Sequence, residues 1–135
     1  MRVMLQPILH ILTGPPGAGK TTLARELCAV KSQLIVYDRD LGNKDEWKES
    51  KKDAILCTSA PSRENKEYWL GRARSEGYAP RLVVVWVDRW VAYDRMKARS
   101  GLSKTERNDL ETELARWYKS YSPHREEIRH EKAHA

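Results

Sequence analysis

The chain contains 135 residues, of which 40% are apolar and 33% are charged, and its 25 Lys and Arg against 19 Asp and Glu give a net charge of +6. This length and composition predict one folded domain and exclude a disordered or fibrous protein. No apolar stretch is long enough to cross a bilayer, and two cysteines are too few for a disulfide framework or a four-ligand zinc site. We therefore expect a cytoplasmic protein that binds no membrane and keeps Cys28 and Cys57 as buried free thiols.

The first predicted elements flank a glycine-rich loop. Residues 8–13 form an apolar, β-rich run that is typical of a buried parallel strand, and residues 22–29 show helical spacing of apolar positions. Between them, residues 14–21 read Gly-Pro-Pro-Gly-Ala-Gly-Lys-Thr, which fits the pattern G-x-x-x-x-G-K-[S/T] in full. Glycines let successive backbone N–H groups turn toward a phosphate, and the helix that follows directs its positive end at the same anion.

Strand, loop and helix occur in the order that a phosphate-binding loop requires, and together they predict a site for ATP and Mg²⁺. Lys20 would bring its charge to the β- and γ-phosphates, and Thr21 would bind Mg²⁺ through its hydroxyl. The expected nucleotide contacts come from the loop and the start of the helix: Gly14, Pro15, Pro16, Gly17, Ala18, Gly19, Lys20, Thr21 and Thr22.

The rest of the chain alternates between strand and helix patterns. The predicted strands cover residues 34–37, 54–58 and 82–87, and the predicted helices cover residues 44–52, 62–76, 90–99 and 103–122. Alternation of this kind predicts a three-layer α/β fold with about four parallel strands flanked by helices. We expect a single domain over residues 1–135, with its core at about 8–122 and a frayed tail at 123–135.

Several local signals mark helix ends and leave alternatives open. Asp88 follows the last predicted strand and is interpreted as the N-cap of the next helix, with a magnesium-binding aspartate as the alternative. Ser103 and Glu106 have the spacing of a capping box. His130 and His134 stand four residues apart in the tail, where they form either a metal-binding pair or, as we favour, part of a solvated helix end.

Charged side chains follow the second predicted strand at Asp38, Arg39 and Asp40. In an open parallel sheet, ligands bind at the carboxyl ends of the strands. Carboxylates at that edge can accept a proton from an attacking hydroxyl, bind Mg²⁺ or orient a substrate, and otherwise serve as turn residues. The third strand ends without the aspartate that many P-loop proteins place there, and Thr58 is expected to offer its hydroxyl to the substrate.

Two arginines four residues apart precede a polar, basic segment. Arg95 and Arg99 share one face of a predicted helix, and Gly101 follows them. This arrangement favours a lid that closes on the phosphates and stabilises charge on the transferring group. The alternative is that Asp88 and Asp94 pair with these arginines as ordinary surface ion pairs.

In these features the chain resembles the P-loop kinases, and most closely the 5′-kinase domain of polynucleotide kinases. The resemblance covers about residues 8–122 and includes the glycine-rich loop. It implies a four-stranded parallel sheet, ATP and Mg²⁺ as cofactors, and a lid that carries Arg95, Arg99 and Gly101. It also implies a general base after the second strand, to which Asp38 corresponds best and Asp40 is the alternative, with Asp38 also as a metal ligand.

The sequence also departs from that family. The arginine that binds the substrate phosphate lies three residues after the base, where this chain has Leu41. Arg39 and Arg63 are the candidates to replace it. The pair Asp38 and Asp40 also resembles the paired aspartates of small-metabolite kinases such as shikimate kinase.

The distribution of charge bears on the acceptor. Residues 61–107 carry 11 basic and 6 acidic side chains, a segment that forms either solvated helix faces or a surface for a polyanion. The main hypothesis is a kinase that transfers the γ-phosphoryl group of ATP to a hydroxyl on nucleic acid, either a 5′-hydroxyl or a hydroxymethylated base in DNA. The alternatives are a kinase of a nucleoside or small metabolite, and an ATPase or nucleotide-binding module without kinase activity.

Overall fold

The computed structural model of the protein describes residues 5–131, apart from the side chain of Asp40. The strands are β1 (Ile8–Thr13), β2 (Ile35–Tyr37), β3 (Ala54–Thr58), β4 (Ala79–Trp86) and β5 (Ile128–Glu131). The helices are α1 (Lys20–Val30), α2 (Trp47–Ser50), α3 (Arg63–Ser75), α4 (Arg89–Ala98) and α5 (Lys104–Ser120), with 3-10 turns at Arg39–Leu41 and Lys44–Glu46. All five strands run parallel in one sheet, in the order β2-β3-β1-β4-β5.

Alternate residues of each strand point to opposite faces of the sheet, and each face has its own apolar layer. On one face, Leu12 and Val83 pack in a buried cluster with side chains of α1, α4 and α5. On the other face, Ile11 and Leu82 pack with Trp47 of α2 and with side chains of α3. Helices therefore cover both faces, which confirms the three-layer α/β fold that the sequence predicts.

The sheet has five strands where the sequence predicts about four, because residues 128–131, in the segment expected to fray, form a fifth strand beside β4. Each of its four residues is at least partly exposed, so the segment lacks the apolar signal of a buried strand. The helix predicted over residues 44–52 is also shorter, since it consists of a 3-10 turn and one turn of α-helix that ends before Lys51, whose φ is 52°. His134 lies outside the described residues.

The predicted helix caps are present. The Asp88 carboxylate accepts a hydrogen bond of 2.9 Å from the backbone of α4, and Ser103 and Glu106 form a complete capping box. Cys28 and Cys57 are both free thiols, of which only Cys57 is fully buried. Within residues 5–131, every helix is too short or too polar to cross a membrane.

A buried ion pair anchors the segment that leads into β5. The Lys66 side chain on α3 is fully buried, and its ammonium donates to Glu127 at 2.8 Å and to the carbonyl of Ser122 at 2.7 Å. Burial lowers the pKa of Lys66 even though Glu127 opposes the shift. Burial alone would raise the pKa of Glu127, but hydrogen bonds from Lys66, the Tyr121 hydroxyl and the His124 amide outweigh it and lower that pKa. The pair therefore joins α3 to the chain just before the edge strand.

Glu127→Gln tests how much this pair stabilises the fold. The substitution keeps the shape of the side chain but leaves the buried Lys66 charge without its counter-charge, which costs roughly 3–5 kcal/mol. Urea denaturation measures the loss. The matched control is Glu126→Gln, which removes a surface pair with Arg74 whose side chains are 38% and 48% exposed and is expected to cost less than about 1 kcal/mol. Equal losses in the two variants would contradict a special role for the buried pair.

The same pair gives stability a pH dependence. Because the folded-state pKa of Glu127 lies below its ordinary value of 4.5, its contribution is complete above that pH and is lost as the pH falls through the lower, folded-state pKa. The pKa values of Asp53 and Glu67 are also lowered, so these two residues lose their stabilising contributions at low pH in the wild type and in Glu127→Gln alike. The free energy of unfolding, measured by urea denaturation between pH 6 and pH 3, is therefore expected to fall less steeply below pH 4.5 in Glu127→Gln than in the wild type.

Candidate active site

The glycine-rich loop lies between β1 and α1, as the sequence predicts. Gly17 and Gly19 have φ values of 76° and 102°, in the left-handed region that glycine enters without a steric penalty. The Lys20 ammonium donates to the carbonyl of Gly14 at 2.9 Å, so its charge lies over the loop. The first turn of α1 has no acidic side chain, and its N-cap residue is Gly19, which has no side chain that could cap the helix. Backbone N–H groups and the helix dipole are thus available to a phosphate.

Asp38 lies directly after β2 and is held there by a neighbour that the sequence did not single out. The Asn43 side-chain oxygen accepts from the Asp38 amide at 3.0 Å, and its side-chain nitrogen donates to the carbonyl of Val36 at 3.0 Å. These bonds close the turn after β2 and fix the position of Asp38. An asparagine in a turn is too common a feature to reveal this role without the structure.

Asp38 follows β2 and Lys20 begins α1, and both charges act on the Cys57 thiol. Burial is the main cause that raises the pKa of this thiol to about 11, the Asp38 charge contributes to the rise, and the Lys20 charge opposes it. Both charges therefore act on the same side chain near the carboxyl end of β3. A carboxylate and an ammonium around a phosphate-binding loop form a site where an anion can bind and a proton can be accepted.

Arg95 extends from α4 to the same loop. One guanidinium nitrogen donates to the carbonyl of Gly17 at 3.1 Å, so the predicted lid helix and the loop are in contact. Arg99 ends this helix and is exposed, and within residues 5–131 only its main chain is hydrogen-bonded. Arg107 donates to the carbonyls of Lys97 and Arg99 at 3.2 and 3.0 Å, which fastens the end of α4 to α5.

The candidate substrate residues are more scattered. Thr58 is buried at the end of β3, where its hydroxyl accepts from the Lys44 ammonium at 3.1 Å. Arg63 is exposed, and its Nε donates to the carbonyl of residue 123 at 3.1 Å, so it is engaged with the segment after α5. Arg39 is exposed in the turn after Asp38. The side chain of Asp40 lies outside the described part of the structure. Lys44 is a further side chain at this edge that the sequence did not single out.

One other group of potential metal ligands occurs among the described residues, formed by Glu67, His124 and Glu126. The Nδ1 atom of His124 accepts from the Glu126 amide at 3.1 Å, and Nε2 lies 2.6 Å from the Glu67 carboxylate. Since Nδ1 accepts, the proton is on Nε2 and donates to Glu67. Both ring nitrogens are then engaged in hydrogen bonds and not free for a metal, and the group is a hydrogen-bonded clasp between α3 and the segment after α5.

Two solved structures share this fold over most of the chain. A gluconokinase from Sinorhizobium meliloti 1021 is 15% identical with a TM-score of 0.64, and the match covers 96% of this chain and 85% of that one. A sugar kinase from Janibacter sp. HTCC2649 is 15% identical with a TM-score of 0.60, covering 94% of this chain and 86% of that one. No family model matches the sequence, and no curated protein is significantly similar to it. At these identities the similarity establishes the kinase-like P-loop fold and gives no support to the finer resemblance to polynucleotide kinases.

Gly14→Ala tests the packing of the loop. A Cβ atom at this position would lie 2.7 Å from the carbonyl oxygen of Val85, so backbone atoms would have to separate, at a cost of about 1–3 kcal/mol. We expect a lower melting temperature and weaker binding of a fluorescent ATP analogue. The control is Gly71→Ala in α3, where nothing lies within 4 Å of the added carbon and about 0.5–1 kcal/mol of stabilisation is expected. A wild-type melting temperature in Gly14→Ala would contradict the close approach of loop and strand.

Proposed function

We propose that this protein is an ATP-dependent kinase that transfers the γ-phosphoryl group of ATP to a hydroxyl group of a small metabolite. The observation that carries the proposal is that the phosphate-binding loop, which Arg95 contacts at Gly17, and Asp38 both follow carboxyl ends of strands in the same parallel sheet. The fold that the chain shares with a gluconokinase and a sugar kinase supports the same reaction class.

Each group has a role that follows from its position. The loop N–H groups and Lys20 bind the β- and γ-phosphates, and Thr21 offers its hydroxyl to Mg²⁺, with Asp38 as the neighbouring carboxylate. When bound, the metal neutralises charge on the phosphates. Asp38 accepts the proton of the acceptor hydroxyl. As it does so, the hydroxyl oxygen bonds to the γ-phosphorus, and the bond between that phosphorus and the β–γ bridging oxygen breaks. Arg95 stabilises the negative charge that gathers on ADP, and Arg99 is proposed to join it when the lid closes.

The positions of the basic residues favour a small acceptor over nucleic acid. Two cations of the segment 61–107 are already paired: Lys66 is buried against Glu127, and Arg74 pairs with Glu126. Their charges are thus partly neutralised by carboxylates, which lowers the attraction of this segment for a phosphodiester backbone.

The aromatic residues give the same indication. Trp86 packs against Trp117, Tyr118 and Tyr121 with centroid separations of 4.9–5.9 Å, and these rings fill the space between β4 and α5. Trp90 is 69% exposed, with the Arg89 guanidinium over its ring. One exposed tryptophan is a weak platform for stacked bases, which single-strand binding proteins provide in series.

Asp38→Asn tests the kinase mechanism. The amide keeps the shape of the side chain but cannot accept the proton, so transfer of label from γ-labelled ATP is expected to fall by about 10²- to 10⁴-fold. Binding of a fluorescent ATP analogue is expected to stay within about twofold, because the phosphates bind the loop. The acceptor panel contains sugars, sugar acids, nucleosides and 5′-hydroxyl DNA and RNA.

The control is Asp45→Asn, which changes an exposed carboxylate in the neighbouring 3-10 turn and is expected to leave transfer unchanged. Undiminished labelling by Asp38→Asn would exclude Asp38 as the base. ATP hydrolysis by the wild type without label in any acceptor would favour a non-kinase ATPase. Label confined to the nucleic acids would restore the polynucleotide hypothesis.

A further inference from the structure

Lys44 brings a positive charge to the candidate site that the reaction described above does not use. It directly follows Asn43, the residue that holds Asp38, and its ammonium donates to the Thr58 hydroxyl at 3.1 Å. The same ammonium lies 5.0 Å from the centroid of the Trp69 ring. These contacts fix the cation at the carboxyl end of β3, at the residue after Cys57. The charges of Asp38 and Lys20 both influence the pKa of the Cys57 thiol.

The charge of Lys44 has no carboxylate to balance it among the described side chains. Its contacts are a hydroxyl oxygen and an aromatic face, both of which orient an ammonium without neutralising it. By contrast, Lys51 and Lys66 each pair with a glutamate, and Lys31 pairs with Asp53. A partly buried lysine that is oriented but unpaired retains its capacity to bind an anion.

A second, independent feature lies beside it. The Thr13 side chain is 0% exposed, and its hydroxyl has no hydrogen-bond partner among the described residues. Thr13 is paired with Thr58 across β1 and β3. Since Ile11 and Leu56, two residues earlier, both face the α2–α3 side, the two threonine hydroxyls share that face too. A buried hydroxyl without a partner is costly, and a ligand that reaches it recovers the lost bond.

We propose that Lys44 and Thr13 form an anion subsite beside the transfer site, and that the acceptor is a small hydroxy compound bearing a carboxylate or phosphate group. This inference rests on the proposed kinase function and specifies its substrate class. The anionic group of the acceptor binds the Lys44 ammonium and accepts a hydrogen bond from the Thr13 hydroxyl, while the hydroxyl group of the acceptor is directed to Asp38. Neutral polyols lack the group that fills this subsite and are poorer acceptors.

The experiment uses matched acceptors that differ in one charged group. Labelling from γ-labelled ATP is compared for D-gluconate and D-glucitol, which test a carboxylate, and for D-ribose 5-phosphate and D-ribose, which test a phosphate. We expect label in the anionic member of at least one pair, with kcat/KM at least tenfold above its neutral partner. The pair that shows the preference identifies which anion the subsite takes.

Lys44→Gln then assigns the preference to Lys44. Glutamine can still bond to Thr58 but carries no charge, so kcat/KM for the anionic acceptor is expected to fall roughly 10- to 100-fold. The KM for ATP and the rate with the neutral acceptor are expected to stay within about twofold. The control is Lys52→Gln, which removes an exposed charge after α2 and is expected to change none of these values.

Thr13→Val separates a substrate contact from a structural one. Valine has nearly the same shape and removes the unpaired hydroxyl, so the melting temperature is expected to stay equal or rise. The KM for the anionic acceptor is expected to rise several-fold while the KM for ATP is unchanged. An unchanged acceptor KM would remove Thr13 from the subsite.

The outcomes distinguish this inference from the proposed function. Equal labelling of neutral and anionic acceptors, or an equal loss for both in Lys44→Gln, would overturn the subsite and leave the kinase intact. Label in no acceptor, with wild-type ATP binding, would overturn the kinase and the subsite together. A preference for the anionic acceptor that disappears in Lys44→Gln but not in Lys52→Gln supports both the kinase and the subsite.

Discussion

The parallel register of the central strands is the constraint on which the candidate site depends. Pairing of β1 with β3 places Thr13 opposite Thr58, and pairing of β2 with β3 brings Asp38 level with Cys57. Three separate stretches of sequence therefore end at one edge of the sheet, and the phosphate-binding loop begins there. A shift of one residue in either pairing would move whole sets of side chains to the opposite face. The buried apolar layers on both faces fix the register against such a shift.

The part of the site that is contiguous in sequence could be predicted well. The glycine-rich loop combines backbone freedom, a lysine and a threonine in eight residues, and the strand and helix beside it have strong local patterns. The caps at Asp88 and Ser103 are likewise short-range, because the side chain bonds to backbone within three residues. Asp38 was singled out because a strand end in a parallel sheet is a general binding position.

The missed features depend on contacts between distant residues. Lys44 reads in sequence as one of several charges in a short polar helix, and only the fold brings its ammonium to Thr58. The fifth strand has the sequence Ile-Arg-His-Glu and no apolar alternation, since an edge strand of this kind is positioned by backbone pairing. Its anchor is the buried Lys66, which bonds to Glu127 sixty-one residues later along the chain. No periodicity or motif encodes a buried lysine, because exposure is the usual state of that residue.

The two faces of the sheet divide the proposed reaction. Gly14 begins a loop that leads into α1, which covers the face opposite to α2 and α3. Thr13, one residue earlier, turns its hydroxyl to the α2–α3 face, where Lys44 and Thr58 lie. In the proposed mechanism the phosphoryl donor thus binds on the α1 side of the strand ends and the acceptor anion on the α2–α3 side. In this proposal the anion of the acceptor and its reacting hydroxyl bind near the same turn, since Asn43 bonds to the Asp38 amide and directly precedes Lys44.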